Sequence, residues 1–490
     1  MLNEHLDFSQ SEYKALLDNS TEMVLRQFQT VQNQKGYHDH PQAEVEQWFD
    51  EKIPELGMDV LTLLDEVEQK VLHTATGNLG PNMYAYVMSG GNQIAIIAEK
   101  LAHTINQNQT KWHLAPAMNE IEKRVIRWTA EMMGFPKDSG GVLVSGGSAA
   151  NLTGLTVARN IFFEKEGIRK TGLFNRKPFV VYASEEVHSC MDKSIELLGI
   201  GSNHLRKIKT NETFQIDTIA LRNQIEKDLT DGLQPFCLVG NAGTVNTGAI
   251  DDLDTLGDIA QEFGLWYHID GAYGALAALL DNLKPLYKGM ERADSIAIDF
   301  HKWLYQPFEG GCTLVRNWDM LKRTYFKKAA YLDTELANDG NRLEYNEHYF
   351  QLSRNAKAFK VWMSIKAYGM QQLKAMIQKD IDLTNYLNKQ VGKAPDFELV
   401  ADSHLAVSCF RYVGNMTDKQ EIVEFNRRLM PQVENDGRVF IMGSQLKGVY
   451  AIRACVRIHR KSEETTVYLL EVIREVAEKM VSVEPILSKK

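Results

Sequence analysis

Lys302 lies in Ile298-Asp299-Phe300-His301-Lys302-Trp303, where the apolar run Ser295-Ile296-Ala297-Ile298 ends and the glycine-flanked run Gly311-Cys312-Thr313-Leu314-Val315 follows. Apolar walls strip water from an ammonium and favour the neutral amine, which can attack a carbonyl; a Schiff-base lysine needs this setting. A lysine that merely snorkels from a strand end fits the same residues, so its chemistry depends on groups elsewhere. Asp270 ends the apolar run Trp266-Tyr267-His268-Ile269, and Gly271-Ala272-Tyr273-Gly274 follow, small enough for a flat group to lie against the backbone. A carboxylate buried there needs a cation, which a pyridinium nitrogen or an arginine would supply. Gly141 to Asn151 reads as strand, glycine turn and helix start. Its free N–H groups around Gly147 and Ser148, with the Ser148 hydroxyl, suit a phosphate, although a serine-capped turn explains the same residues. Neither a Walker loop nor a dinucleotide fingerprint is present. His188, just past the run Phe179 to Ala183, and Thr244, in the turn Asn241 to Gly248, stand at two further strand ends.

Each feature alone is weak. Jointly they supply an anion site, a ring-facing imidazole, a carboxylate for a ring nitrogen and an amine for an aldehyde, which is the set pyridoxal 5'-phosphate requires.

The elements that must position these groups alternate. Short β-branched runs at 141–144, 179–183, 205–208, 236–239, 266–269, 295–298 and 312–315 are separated by helical patterns such as 149–163, 217–229 and 253–263. That alternation predicts an α/β fold with a mostly parallel sheet covered on both faces, whose ligands sit at the carboxyl ends of the strands. Residues 1–92 read as an N-terminal helical segment that packs on the main domain or on a second subunit. Residues 93–369 read as the large domain and 370–490 as a smaller α+β domain, with strands expected at 397–400, 406–412, 439–442 and 450–457. Between Tyr331 and Glu347 the chain is polar and turn-rich, a length of loop that is more often functional than inert.

Composition bounds the partners. A chain of 490 residues with net charge −9 and pI near 5.9 does not select nucleic acid or an anionic membrane. The start Met1-Leu2-Asn3-Glu4-His5 lacks a secretory pattern and no stretch is apolar for the length of a membrane span, so a cytoplasmic location is expected. The five cysteines, odd in number and never in a Cys-x-x-Cys pair, read as reduced core thiols. No ligand spacing for a metal is present.

From about residue 80 onward, and most specifically at Asp299-Phe300-His301-Lys302-Trp303, the chain resembles the pyridoxal-phosphate-dependent group II amino-acid decarboxylases, which include aromatic-amino-acid, glutamate and histidine decarboxylases. The resemblance implies a fold type I architecture and a homodimer with sites at the interface. It implies Lys302 as the lysine that carries the cofactor, Asp270 as partner of the ring nitrogen, His188 as the stacking imidazole and Ala272 on the other ring face. It implies phosphate contacts from Gly147, Ser148, Asp299 and His301, with Thr244 beside the cofactor. Tyr345 falls on the tyrosine of a catalytic loop that returns a proton, and Arg354 is a structural or carboxylate-side contact. The chain departs from the family at Gly77 to Asn82, where relatives place a histidine or tryptophan near the substrate. Tyr84, Tyr86, Met88 and Trp112 are expected to line an apolar pocket for an aromatic amino acid. Lys111 keeps an acidic amino acid open as the alternative, and an aminotransferase or lyase on the same fold is the more distant one.

Overall fold

The structure is a computed structural model and describes residues 6–327 and 342–487. Its centre is a seven-stranded sheet: β1 (Gly140–Val144), β2 (Phe179–Ser184), β3 (Leu205–Ile208), β4 (Gln234–Asn241), β5 (Trp266–Asp270), β6 (Ser295–Asp299) and β7 (Gly311–Val315). The order is β1-β7-β6-β5-β4-β2-β3. β7 runs antiparallel to both neighbours and the other pairs are parallel. Every residue of β1, β2, β5, β6 and β7 is buried, as a sheet with both faces covered demands. Helices supply the cover, with ends that their sequences encode. Asp217 and Asp252 accept from first-turn N–H groups of Thr218–Thr230 and Leu253–Phe263, and Gly264 closes the latter at φ 64°.

The helix Lys357–Lys393 leads from the large sheet to the small one and is broken at Gly369 (φ 71°). The second sheet is antiparallel, in the order β10-β11-β9-β8, built from β8 (Phe397–Ala401), β9 (Val407–Tyr412), β10 (Met442–Leu446) and β11 (Val449–Cys455). The strand expected at 439–442 is displaced. Residues 439–441 instead lie along the N-terminal segment, with Phe440 donating to the Asn82 carbonyl (2.9 Å) and accepting from the Tyr84 N–H (2.7 Å). The true strand follows, hidden by the polar Gly443-Ser444-Gln445. It turns through Lys447 and Gly448, both at positive φ, as a tight hairpin requires.

Before the sheet come the helices Gln10–Thr30, Gln42–Phe49 and Val60–Val67, on which Tyr13, Leu25 and Phe49 are exposed, as are Leu6, Ile53 and Leu56 in the stretches around them. Of the segment expected as a polar loop, 331–347, residues 331–341 lie outside the described residues. No helix among the described residues is long and apolar enough to cross a membrane.

Candidate active site

The carboxyl ends of β1, β2, β4, β5 and β6 surround a cavity of about 580 Å³, within the range for a small-molecule site. β1 runs through Ser145 and Gly146 into the helix Gly147–Phe162, whose N-cap carries no side-chain hydrogen bond, so its first N–H groups face the cavity without an intrahelical acceptor. A Cβ at Gly147 would lie 2.8 Å from Asp299 Oδ2 and 2.9 Å from the Ala272 methyl. Only a glycine leaves that cradle open.

The opposite wall comes from the turn after β6. Lys302 Nζ is 3.1 Å from Asp299 Oδ2, and His301 Nε2 is 3.5 Å from the same oxygen. Burial lowers the pKa of His301, with Asp299 opposing. Asp299 Oδ1 is buried without a hydrogen-bond partner among the described residues. Asp270, 8% exposed, accepts from the Ala272 N–H at Oδ1 (3.2 Å) and lines the cavity. His188 lines the cavity too, and its Nδ1 accepts from the Cys190 N–H at 3.2 Å, which puts the proton of the neutral ring on Nε2. Burial is the main cause of its lowered pKa, and Asp270 opposes it. Thr244 is held at the rim by Thr247 (Oγ1 to Oγ1 3.0 Å) and by the Ala249 N–H (3.1 Å).

Beneath Asp270 lies a network that sequence reasoning missed. His268 shares the face of β5 with Asp270, two residues on. Its Nε2 is 2.9 Å from Asn151 Oδ1 and its Nδ1 2.8 Å from Ser295 Oγ. Trp266 Nε1, a donor only, points at the same Ser295 oxygen (2.9 Å), and Asn151 Nδ2 points at Cys190 Sγ (3.5 Å). These directions fix the tautomer: His268 donates from Nε2, and its Nδ1 accepts the Ser295 hydroxyl proton. Burial takes its pKa down to about 4, so the ring is neutral. The signal was the period of two along β5 and the single helical turn from Gly147 to Asn151.

Gly147, Ser148, His188, Thr244, Asp270, Ala272, Asp299, His301 and Lys302 all line this one cavity. Of the residues expected against substrate, Tyr86 does as well, at a left-handed φ of 58° and with its carbonyl held by Arg453 Nη1 (3.0 Å). Tyr84 does not: it is buried under Lys461, whose Nζ sits 3.3 Å from the ring centroid. Met88 packs on the Met83–Phe440 cluster, and Trp112 lies against Arg342. Arg354 is committed to a buried ion pair with Glu122 (2.5 Å). Tyr345 is fully buried behind β1, with Arg354 4.5 Å above its ring and Trp318 beside it. In each case a charged or aromatic neighbour in three dimensions, invisible in the local pattern, claims the side chain. Val87, Cys190, Tyr273, Phe308 and Glu309 are among the further residues that line the cavity.

The fold is that of a fold type I enzyme, and one cavity brings together an uncapped helix end, small residues, a carboxylate and an amine, the groups that an aromatic aldehyde phosphate calls for. The family model for the pyridoxal-dependent decarboxylase conserved domain matches residues 41–413, and the chain belongs to that family. It is a pyridoxal-phosphate-dependent amino-acid decarboxylase, and pyridoxal 5'-phosphate is its cofactor. Among similar proteins, an aromatic-L-amino-acid decarboxylase of Bacillus atrophaeus is 31% identical over 480 residues, 98% of each chain. Tyrosine decarboxylase 4 of Petroselinum crispum is 29% identical over 81% of this chain and 79% of its own. The crystal structure of Oryza sativa TDC with PLP and tryptamine superposes with a TM-score of 0.91 at 23% identity, over 97% of this chain and 99% of that one.

Proposed function

We propose that the protein converts an aromatic L-amino acid to its amine and carbon dioxide, as a cytoplasmic homodimer. The observation that carries the substrate class is the cavity wall. Tyr86, Val87 and Phe308 stand at its mouth, Lys302 is its only lysine or arginine among the described lining residues, and Glu309 adds a negative charge. An acidic side chain would meet Glu309 rather than a second cation, whereas an aromatic ring finds apolar faces. Lys111, the residue that kept the acidic alternative open, does not line the cavity. Similar proteins named for aromatic-amino-acid and tyrosine decarboxylation support the same reading.

Pyridoxal phosphate bound here supplies an aldehyde that joins an amine and a ring that accepts the electrons left when carbon dioxide departs. The chain's own residues do the rest. Gly147, Ser148 and the helix end hold the phosphate. Asp270 holds a proton on the ring nitrogen. His188, neutral by burial, offers a flat face without repelling that proton. His268 stays neutral beneath Asp270, so the carboxylate's charge is undivided. Lys302 supplies the amine, with Asp299 as its counter-ion. Tyr345 does not line the cavity.

A second copy fits two features: Tyr86 and Phe308, which line the cavity, are 51% and 59% exposed, and the N-terminal segment exposes several large apolar side chains. Amine release across a panel of aromatic and acidic amino acids tests the substrate class; glutamate turned over faster than tyrosine, tryptophan or phenylalanine would refute it. Light scattering that gave the mass of one chain would refute the dimer. A Lys302→Ala protein treated with pyridoxal phosphate and borohydride should carry no covalent adduct.

A further inference from the structure

The turn that carries Lys302 is held by a residue with no role so far. Trp303 and Tyr305 follow the lysine, both buried. Trp303 Nε1 donates to Asp380 Oδ2 at 3.1 Å, and the Tyr305 hydroxyl donates to the same oxygen at 2.7 Å. Asp380 is 1% exposed on the helix Lys357–Lys393, more than seventy residues along the chain from both donors. Between the donors the backbone is left-handed at Leu304 (φ 81°) and Tyr305 (φ 53°), a conformation that bulky residues keep only where surroundings enforce it. Asn92 Nδ2 donates to the Tyr305 carbonyl (3.0 Å) and Ser89 Oγ to that of His301 (2.8 Å). Those two contacts hold the turn from the N-terminal side; from the helix side Asp380 holds Trp303 and Tyr305, while Ser364 Oγ and Lys360 Nζ reach Gln306 Oε1 (3.3 Å) and the Pro307 carbonyl (3.2 Å) just beyond them.

We propose that Asp380 is a positioning residue for the Lys302 amine, gripping Trp303 and Tyr305 so that the turn keeps Nζ in the cavity beside Asp299. The inference rests on Lys302 being the amine that takes the cofactor. A single carboxylate oxygen accepting two donors is a charge-assisted grip, stronger than a neutral acceptor provides. The charge also has company. Arg457 is fully buried, 5.0 Å from the Trp303 ring centroid, and none of its guanidinium nitrogens has a hydrogen-bond acceptor among the described residues. Lys461 and Cys455 face Asp380 from the same segment, and Lys379 from its own helix. Burial pushes the Asp380 carboxyl up to about 6, while Tyr305, Arg457 and Trp303 oppose the shift. The grip is therefore ionised at neutral pH and relaxes below about pH 6.

The test compares wild type with Asp380→Asn, both as full-length apoprotein mixed with pyridoxal phosphate. Capture is read as the rate at which a borohydride-fixed mass adduct appears on Lys302. The amine nitrogen joins the aldehyde carbon, water leaves, and borohydride reduces the bond. A parallel titration uses pyridoxine 5'-phosphate, which has the ring and phosphate but no aldehyde. Asp380→Asn should slow capture about tenfold at pH 7.5, the scale set by weakening two charge-assisted hydrogen bonds to neutral ones. Affinity for pyridoxine 5'-phosphate should change less than about twofold, since none of its contacts needs the amine. The ratio of the two capture rates should shrink toward one below pH 6. Equal capture at pH 7.5 overturns the inference while leaving Lys302 as the cofactor lysine. Equal losses of capture and of pyridoxine 5'-phosphate affinity make Asp380 merely structural and also overturn it. A wild-type adduct on another amine would overturn the reading of Lys302 itself.

Discussion

Replacing His268 with glutamine should flatten the protein's acid sensitivity without disturbing its neutral-pH structure. Glutamine can donate from Nε2 to Asn151 and accept the Ser295 hydroxyl at Oε1, so the network under Asp270 keeps its directions but loses its titration. The magnitude follows from burial. The imidazole falls from 6.5 to about 4 in the folded protein, and a gap of that size corresponds to about 3 kcal/mol at 1.4 kcal/mol per unit. The sign is that of a base with a depressed pKa: below pH 6.5 the unfolded chain binds a proton that the folded chain refuses. The stability contributed by neutral His268 is complete above pH 6.5 and is lost as the pH falls toward 4. His459, also lowered to about 4 by burial, adds a similar slope, but it is present in both proteins and cancels. Urea unfolding of the apoproteins, followed by tryptophan fluorescence in steps from pH 7.5 to 4, should show a roughly constant difference above pH 6.5. By pH 4 wild type should have lost about 3 kcal/mol relative to the variant. Parallel curves over the whole range would refute the lowered pKa of His268.

Other perturbations separate the parts of the site. Gly147→Ala places a methyl against Asp299 and Ala272; at about 1–3 kcal/mol for overpacking, cofactor affinity in a fluorescence titration should fall roughly ten- to a hundredfold. Asp270→Asn should retain the cofactor yet lower amine production by about two to three powers of ten, the scale of losing one preorganised electrostatic group. Glu122→Gln leaves the Arg354 guanidinium buried and uncompensated, so the denaturant midpoint should drop by the equivalent of about 3–5 kcal/mol. Tyr345→Phe removes a hydroxyl that is buried without a hydrogen-bond partner among the described residues; the rate of amine release should stay within about twofold, because nothing that touches the cavity changes. A much larger loss would return Tyr345 to the chemistry.

The strands of the large sheet could be read from the sequence almost to the residue, because a sheet covered on both faces writes itself as short apolar runs between helical periods. The groups at their carboxyl ends were legible for the same reason: Asp270 closes a run, and Ser148, His188, Thr244 and Lys302 stand in the turns just after others, so knowing where strands stop was enough to find them. The antiparallel insertion of β7 between β1 and β6 was not legible, since an apolar run carries no direction. Nor was the fate of the aromatic stretch. Tyr84 and Tyr86 alternate with the same period, but Lys461, far along the chain, claims the first ring and leaves the second to the cavity. Tyr345 and Arg354 were drawn away by Glu122 and Trp318, and the grip of Asp380 on the lysine turn has no local signature. Local periodicity thus determined the elements and the residues at their ends. Only the folded chain could decide which distant charge or ring each buried polar or aromatic side chain meets, because that partner is chosen by packing across the sequence rather than along it.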